Sequence, residues 1–529
     1  MSSPSVADVL VLGSGSAALA AALKAAAGGL SVQVIEKSGL IGGTSAMSGA
    51  GTWVPLSRQA RAAGIVDDAE AVLSYIHAVA PPGWAETEAP LWRAFVSAAP
   101  EMLAFLEEAS PLRFVLENDP DPGRGLPGAL TEGRMVSPRP LRAALAGPFR
   151  RKIRPSTLPQ VFTYGEMRAL DVYHHPVRAS LKLAPRILWR ILTGARTKGA
   201  SLITGLLKGC LDRGVVVDLD TRAVSLVQDP ASGRVTGVIV ETNGTRTEIA
   251  ARRGVVIATG GFEWDPARRD RHFPGPFDYI ASPRSNSGDG HTMAEAAGAA
   301  LAHMDQGNLN PAIPTWYDGH LHGLGTFHHK EPNAILVDRF GRRFVDEYSP
   351  NVSETIDSRD ASGAPRFLPA WVITDSRLLW RAPILRLKMH HDRNWLIRAP
   401  TLDALADRIR LPADALAETV ARFNTFAAEG TDPEFGRSVA AGSLEAITKP
   451  PFIAMPFNRS FLATKGGPRT DDHARVLRPD GSVIPGLYCA GVAMANPFGT
   501  RAYGSGTTIG PNLTWGYIAA RTLLAETAG

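Results

Sequence analysis

Ala7-Asp8-Val9-Leu10-Val11-Leu12-Gly13-Ser14-Gly15-Ser16-Ala17-Ala18 decides the fold. Residues 7–12 read as a buried strand, and Gly13 to Ala18 open an alanine-rich helix that ends at Gly28-Gly29. Ser31 to Glu36 predicts a second strand. Strand, glycine-rich turn, helix and strand are the setting that the dinucleotide fingerprint GxGxx(G/A) requires, with an acid about 20 residues on. Gly13 permits the tight turn, Gly15 lets the backbone approach a pyrophosphate, and Ser16, Ala17 and Ala18 begin the helix whose free N–H groups face the anion. Glu36 would accept from ribose hydroxyls and repel an additional phosphate.

Outward from this unit, Lys37 leads into Gly42-Gly43-Thr44-Ser45-Ala46-Met47-Ser48-Gly49-Ala50-Gly51, a stretch of glycines and hydroxyls that can lie flat along an extended ligand. Gly254 to Gly261 and Gly486 to Gly491 repeat the pattern of a strand running into glycine. The chain has 529 residues, enough for two to four structural units at roughly 150 residues each. With 44% apolar and 20% charged residues and no apolar run long enough to span a bilayer, it reads as a soluble globular protein. The first 12 residues lack the basic start of a signal peptide, so the cytoplasm is the expected location. A net charge of +5 does not suggest nucleic acid, and no nucleic-acid motif occurs. Cys210 and Cys489 are too few for a disulfide framework and read as core thiols. No metal site is expected.

Further segments carry a resemblance: Lys198 to Gly205 (KGASLITG), Ala258 to Asp265 (ATGGFEWD), Ser287 to Gly290 (SGDG), Gly341 to Glu347 (GRRFVDE), Thr464 to Asp471 (TKGGPRTD) and Thr507 to Gly516 (TTIGPNLTWG). With the fingerprint, they make nearly the whole chain similar to the flavoprotein family of fumarate reductases, succinate dehydrogenases and 3-ketosteroid dehydrogenases. TKGGPRTD, ATGGFEWD and TTIGP most resemble the ketosteroid dehydrogenase branch. The resemblance implies an α/β protein: a Rossmann-type FAD-binding domain from residues 1–270 and 456–529, with an inserted α+β catalytic cap over 271–455. It adds Ala223, Ala258, Thr259, Gly260, Asp289, Gly491, Thr508 and Ile509 to the FAD-binding residues named above. The first histidine is His77, so the covalent flavin link of succinate dehydrogenases near the glycine-serine stretch has no residue to form it, and FAD is expected to be non-covalent. No second GxGxxG follows a strand, so electrons are expected to leave to an external acceptor rather than to a second nucleotide in this chain.

The family's chemistry is removal or addition of two hydrogens across a C–C bond beside a carbonyl. A base takes the α-proton, the β-hydrogen moves as hydride to flavin N5, and donors stabilise the enolate. Three positions depart from the ketosteroid pattern. Asn351 stands where a catalytic arginine or tyrosine is expected, Ala502 stands at the ketone-binding tyrosine, and Phe114 to Pro120 lacks a tyrosine. An amide cannot shuttle protons. The substitutes are Tyr348, turned by Pro350, and Tyr503-Gly504-Ser505-Gly506, which looks like the 4-ene branch with Tyr503 as carbonyl donor, Ser505 as proton relay and the Gly506 N–H as second donor. Tyr317, beside His320 and His322, is a further candidate in the predicted cap, as are His328 and His329. For each, the alternative is an ordinary packed or turn residue. Ala463 before Thr464-Lys465-Gly466-Gly467, together with Asn351, dismantles the dicarboxylate clamp of fumarate reductases, while Arg501 could meet one carboxylate.

The expected reaction is desaturation next to a ring ketone, 1-ene or 4-ene, on a lipophilic steroid-like substrate. Its alternatives are an enoate or fumarate-like reductase and a flavin-binding protein without activity. Finally, 174–198 interleaves Arg178, Lys182, Arg186, Arg190, Arg196 and Lys198 with Leu181, Leu183, Ile187, Leu188, Trp189, Ile191 and Leu192 around Pro185. That segment reads either as a contact with an anionic membrane or as a surface helix with solvated arginines.

Overall fold

Strand β1 (Ser5–Leu12) enters the core with Val9 to Leu12 at most 1% exposed, as a strand covered on both faces must be. The computed structural model describes residues 5–437 and 444–526. After β1 come helix α1 (Ser16–Ala27) and β2 (Val32–Ile35), a shorter strand than the sequence suggests. Gly13, at φ +104°, makes the turn between β1 and α1, and its N–H donates to Ile35 at 2.8 Å. A Cβ there would stand 2.4 Å from the Ala258 carbonyl oxygen, so only glycine fits.

The chain continues through α2 (Gly43–Met47), the long α3 (Trp84–Ala109), α4 (Tyr164–Ala169), α5 (Pro176–Lys182), α6 (Ala184–Thr193) and α7 (Lys198–Leu211). It then returns to the sheet as β3 (Val216–Asp218), β4 (Thr221–Gln228), β5 (Val235–Thr242) and β6 (Thr245–Ile257). A separate antiparallel sheet follows, β7 (Ile335–Val337), β8 (Trp371–Asp375), β9 (Ile397–Ala399) and β10 (Phe452–Pro456), in the order β7-β8-β10-β9. The last segment supplies β11 (Arg475–Leu477), β12 (Val483–Cys489) and helix α8 (Ile509–Ala525).

Five strands run parallel in the order β3-β2-β1-β6-β12, with β11 antiparallel at the edge and β4 and β5 forming an antiparallel meander on β6. The parallel strands thus come from both ends of the chain. Helix α8 lies on α1 through small residues, since a Cβ on Gly516 would stand 2.2 Å from the Ala17 carbonyl oxygen. The sequence places the start of the last helix after Gly510-Pro511. It starts at Ile509, with Pro511 inside the first turn, where its missing N–H costs no hydrogen bond. Cys210 and Cys489 are buried and unpaired. Among the described residues no helix is long and apolar enough to cross a membrane.

Candidate active site

A cavity of about 800 Å³ runs from the C-terminal ends of β1 and β2 to the first turn of α8, the position where open α/β sheets bind ligands. At its inner end lie Gly13, Gly15, Ser16 and Ala17, then Glu36 and Lys37, then Gly43, Thr44, Ser45 and Ser48. Ala223 on β4, the Ala258-Thr259-Gly260 turn after β6, Asp289, Gly491, Thr508 and Ile509 complete this wall. Of the sequence-derived cofactor residues, Ala18 and Gly42 do not line it. Ala18 is fully buried inside α1. Gly42, at φ +104°, caps α2, and its N–H donates to Ser14 Oγ at 3.0 Å.

The wall is polar in the manner a dinucleotide needs. Ser14 donates to Glu36 Oε2 at 2.6 Å and the Ser38 N–H to Oε1 at 2.8 Å, while burial raises the Glu36 carboxyl above its usual range. The Ser16 and Ser45 hydroxyls meet at 2.9 Å. Asp289 is held by Lys37 at 2.8 Å and Arg222 at 3.0 Å, which together lower its carboxyl despite burial. Thr259 Oγ1 and Asn512 Oδ1 face the same wall, buried and without a hydrogen-bond partner among the described residues. Buried polar atoms are normally paired, so these two fit an extended polar ligand. A Cβ on Gly15 would meet only Ser45 Oγ, at 3.7 Å, which leaves room for a close backbone approach. The residues present therefore fit FAD, with the fingerprint turn for its pyrophosphate, Glu36 for ribose and the α8 N-terminus for the flavin end. No histidine or cysteine lines the cavity among the described residues.

The outer part is walled by Gly49 to Gly51, Asp119, Arg124, Tyr164, Asn308 to Pro311, Phe327, Lys465 and the loop from Thr500 to Thr508. Ser505 and Gly506 line it. Gly506, at φ +88°, folds its loop so tightly on Gly51 and Thr52 that a Cβ would stand 2.6 Å from their backbone. Burial lowers the Lys465 ammonium to about 8, and its Nζ donates to the Gly499 carbonyl at 2.6 Å.

Three sequence-predicted tyrosines lie elsewhere. Tyr503 is fully buried behind the wall, edge-on to Phe498 at 5.2 Å, with its own carbonyl accepting from Tyr75 Oη at 2.9 Å. Tyr348 donates to the Lys330 carbonyl, and Arg437 covers its ring at 4.7 Å. Tyr317 donates to the Pro155 carbonyl at 2.8 Å. None of them lines the cavity. His320 and His322 are likewise outside it, and His328 and His329 are buried among aromatic rings, with burial lowering His328 to about 3.

The residue that sequence reasoning missed is Tyr164. It stands at the first position of α4, placed by a capping box in which Thr163 accepts from the Glu166 N–H and Glu166 accepts from the Thr163 N–H. Its hydroxyl donates to Asp119 Oδ2 at 2.7 Å, and Arg168 pairs with the other carboxylate oxygen. Burial, followed by the negative charge of Asp119, pushes the phenol up to about 12, and the Ser505 hydroxyl beside it works against that shift. Phenol, carboxylate and guanidinium thus form a chain that leads from the cavity to the partly exposed Arg168. Asn351 and Ala502, two of the three altered positions, are bonded to each other: the Ala502 N–H donates to Asn351 Oδ1 at 3.0 Å. Arg501 is fixed by Glu354 at 3.0 Å and by the carbonyls of Val79 and Ala80 at 2.9 and 3.0 Å.

Residues 8–509 match the model of the FAD binding domain family. The chain is 35% identical to 4-oxocyclohexanecarboxylate 2-dehydrogenase of Sinomonas cyclohexanicum, over 99% of its own length and 93% of that relative's. It is 33% identical to 3-oxosteroid 1-dehydrogenase of Mycobacterium tuberculosis, over 99% of each chain. Among solved structures, 3-ketosteroid Δ1-dehydrogenase from Sterolibacterium denitrificans in complex with 1,4-androstadiene-3,17-dione superposes with a TM-score of 0.88 at 31% identity, covering 98% of this chain and 99% of that one.

Proposed function

The chain belongs to the FAD binding domain family and is an FAD-dependent oxidoreductase acting on CH–CH groups, and we propose that it desaturates a cyclic ketone of the 3-oxosteroid type next to the ring carbonyl. The observation that carries this reading is the Tyr164–Asp119–Arg168 chain opening on the cavity beside Ser505 and Gly506. When bound, FAD supplies the acceptor for the β-hydrogen and its electron pair, which an external acceptor later removes. The protein's own groups handle the proton and the developing charge.

Burial and then the Asp119 charge push the Tyr164 phenol up to about 12, so it acts from the neutral form at physiological pH. It acts by transmission. The α C–H bond breaks as that proton joins Tyr164 Oη, while the phenolic proton moves along the 2.7 Å bond to Asp119 Oδ2. Arg168 keeps the carboxylate in place during the transfer. The enolate oxygen that develops is met by the Gly506 N–H, the Ser505 hydroxyl and the positive end of α8, fixed donors that need no reorganisation. FAD is held without a covalent bond, consistent with the absence of histidine from the described cavity wall. The cofactor unit comprises 1–270 and 456–529, and the cap 271–455.

A second reading of the substrate is favoured by Arg124 and Arg501 in the same wall: the ring ketone carries a carboxylate, as does the substrate named for the Sinomonas relative. The reverse reaction, reduction of an activated C=C bond, would use the same groups. One assay separates the three: purified holoprotein is given 3-ketosteroids, 4-oxocyclohexanecarboxylate, or a dye-reduced system with an enoate. Ketone-dependent reduction of an artificial acceptor with formation of a conjugated enone supports desaturation, and the ketone that works selects between the two substrates. Turnover of the enoate alone overturns desaturation.

A further inference from the structure

Helices α5 and α6, joined through Leu183 alone, form a helix pair whose outer face is built the wrong way round for water. In α6, Arg190 is 6% exposed, while Leu188, Trp189, Ile191 and Leu192 are 57, 50, 63 and 76% exposed. Arg190 points inward to Glu166, at 2.6 and 2.8 Å, and to the Val161 carbonyl at 2.6 Å. Helix α5 adds Val177 and Leu181, 71 and 72% exposed. Six large apolar side chains on two successive short helices form a surface larger than scattered exposed residues account for.

Charge selects what covers it. Arg178, Lys182 and Arg186 stand exposed on the same helix pair, spaced four residues apart, with Arg186 also 3.6 Å from Glu166. No Asp or Glu occurs from Val172 to Leu211. A second copy of this surface would therefore bring cations against cations with no carboxylate to answer them. We propose that the α5–α6 helix pair docks the protein on an anionic lipid bilayer, its apolar side chains entering the interface and its cations meeting lipid phosphates.

The helix pair is tied to the cavity at both ends. Arg190 grips Glu166 on α4, the helix that begins with Tyr164. His174, just before α5, contacts Glu331 at 3.0 Å, and four residues before Glu331 stands Phe327, which lines the cavity and is 63% exposed. Docking would bring this rim close to the membrane, where a lipophilic ketone partitions. That consequence rests on the proposed function, whereas docking itself does not.

The test is co-sedimentation of the holoprotein with vesicles of equal parts phosphatidylcholine and phosphatidylglycerol, and with vesicles of phosphatidylcholine alone, without substrate. Wild type should pellet with the mixed vesicles, much less with phosphatidylcholine, and less as salt rises. Two variants separate the apolar from the electrostatic contribution: Leu188→Ser with Ile191→Ser and Leu192→Ser, and Arg178→Glu with Lys182→Glu. Each should lower partitioning by about tenfold or more while retaining bound flavin and turnover of a water-soluble ketone. Because these side chains point to solvent, the variants should keep the fold, which retained flavin verifies. Wild type left in the supernatant with both vesicle types overturns the proposal. So does equal binding to both, or a dimer in solution that the apolar triple variant splits, which would make a second copy the occupant.

Discussion

Tyr164 reaches the cavity because the Thr163–Glu166 capping box starts α4 at that point and Asp119 anchors its hydroxyl at 2.7 Å. Tyr164→Phe removes the transmitting hydroxyl and little else, so the rate constant for flavin reduction by ketone should fall about 10²-fold or more, with FAD content unchanged. Stopped-flow measurement checks this, and an unchanged rate would move the base elsewhere. The roles of Ser505 and Tyr503 separate for a steric reason. A Cβ on Gly504 would stand 2.6 Å from the Trp53 ring, so the loop presses on that indole, with Tyr503 turned into the core and Ser505 turned to the cavity. Sequence spacing marks the loop but not which of its neighbouring side chains faces inward. Tyr164 was illegible for a different cause: Phe162-Thr163-Tyr164-Gly165 belongs to no motif, and its partner Asp119 lies 45 residues away. The same applies to Asn351 and Ala502, which read as two separate departures and are one hydrogen-bonded contact.

At the scale of elements, the parts with strong local patterns were legible. The strand–turn–helix–strand unit at the start of the chain follows from an apolar run, two glycines and alanine periodicity, all local properties. The meander of β4 and β5 on β6 and the four-stranded β7-β8-β10-β9 sheet depend on long-range pairing, which periodicity does not encode. The α5–α6 helix pair was legible as basic and apolar, but its inverted face was not, because burial of Arg190 depends on Glu166, 24 residues earlier. The helix pair also carries a pH dependence. His174, preceding α5, has its imidazolium favoured by the hydrogen bond to Glu331 and then by Asp171, so its folded-state pKa lies above 6.5. Protons bind more tightly in the folded state, so this contribution is fully present below the unfolded value and is lost as pH rises through the folded one. Amide exchange in 176–193, corrected for intrinsic rates, should show weaker protection at about pH 9 than at about pH 6. His174→Gln should remove the difference, and equal protection in wild type at both pH values would show that the anchor does not matter.

Across the whole molecule, one cofactor cradle is assembled from the two ends of the chain: β1, α1 and β2 from the first, β12 and α8 from the second. In the proposed placement FAD would tie together segments almost 500 residues apart, and Thr259 Oγ1 and Asn512 Oδ1 would gain partners with it. Added FAD should stabilise by mass action, about 4 kcal/mol at a thousandfold excess over Kd. The Tm of stripped protein should rise steadily with FAD concentration, whereas a Tm indifferent to FAD would contradict this placement. In the proposed reaction a ring ketone gives its hydride to the flavin of this cavity and its α-proton to the Tyr164–Asp119 chain. Anaerobic addition of a ring ketone to the oxidised holoprotein, followed by flavin absorbance, is the decisive measurement. A steroid ketone or a ring ketone bearing a carboxylate should bleach the flavin in a single turnover and yield one equivalent of enone. A flavin that no ring ketone bleaches, but that an enoate reoxidises once reduced, would contradict it.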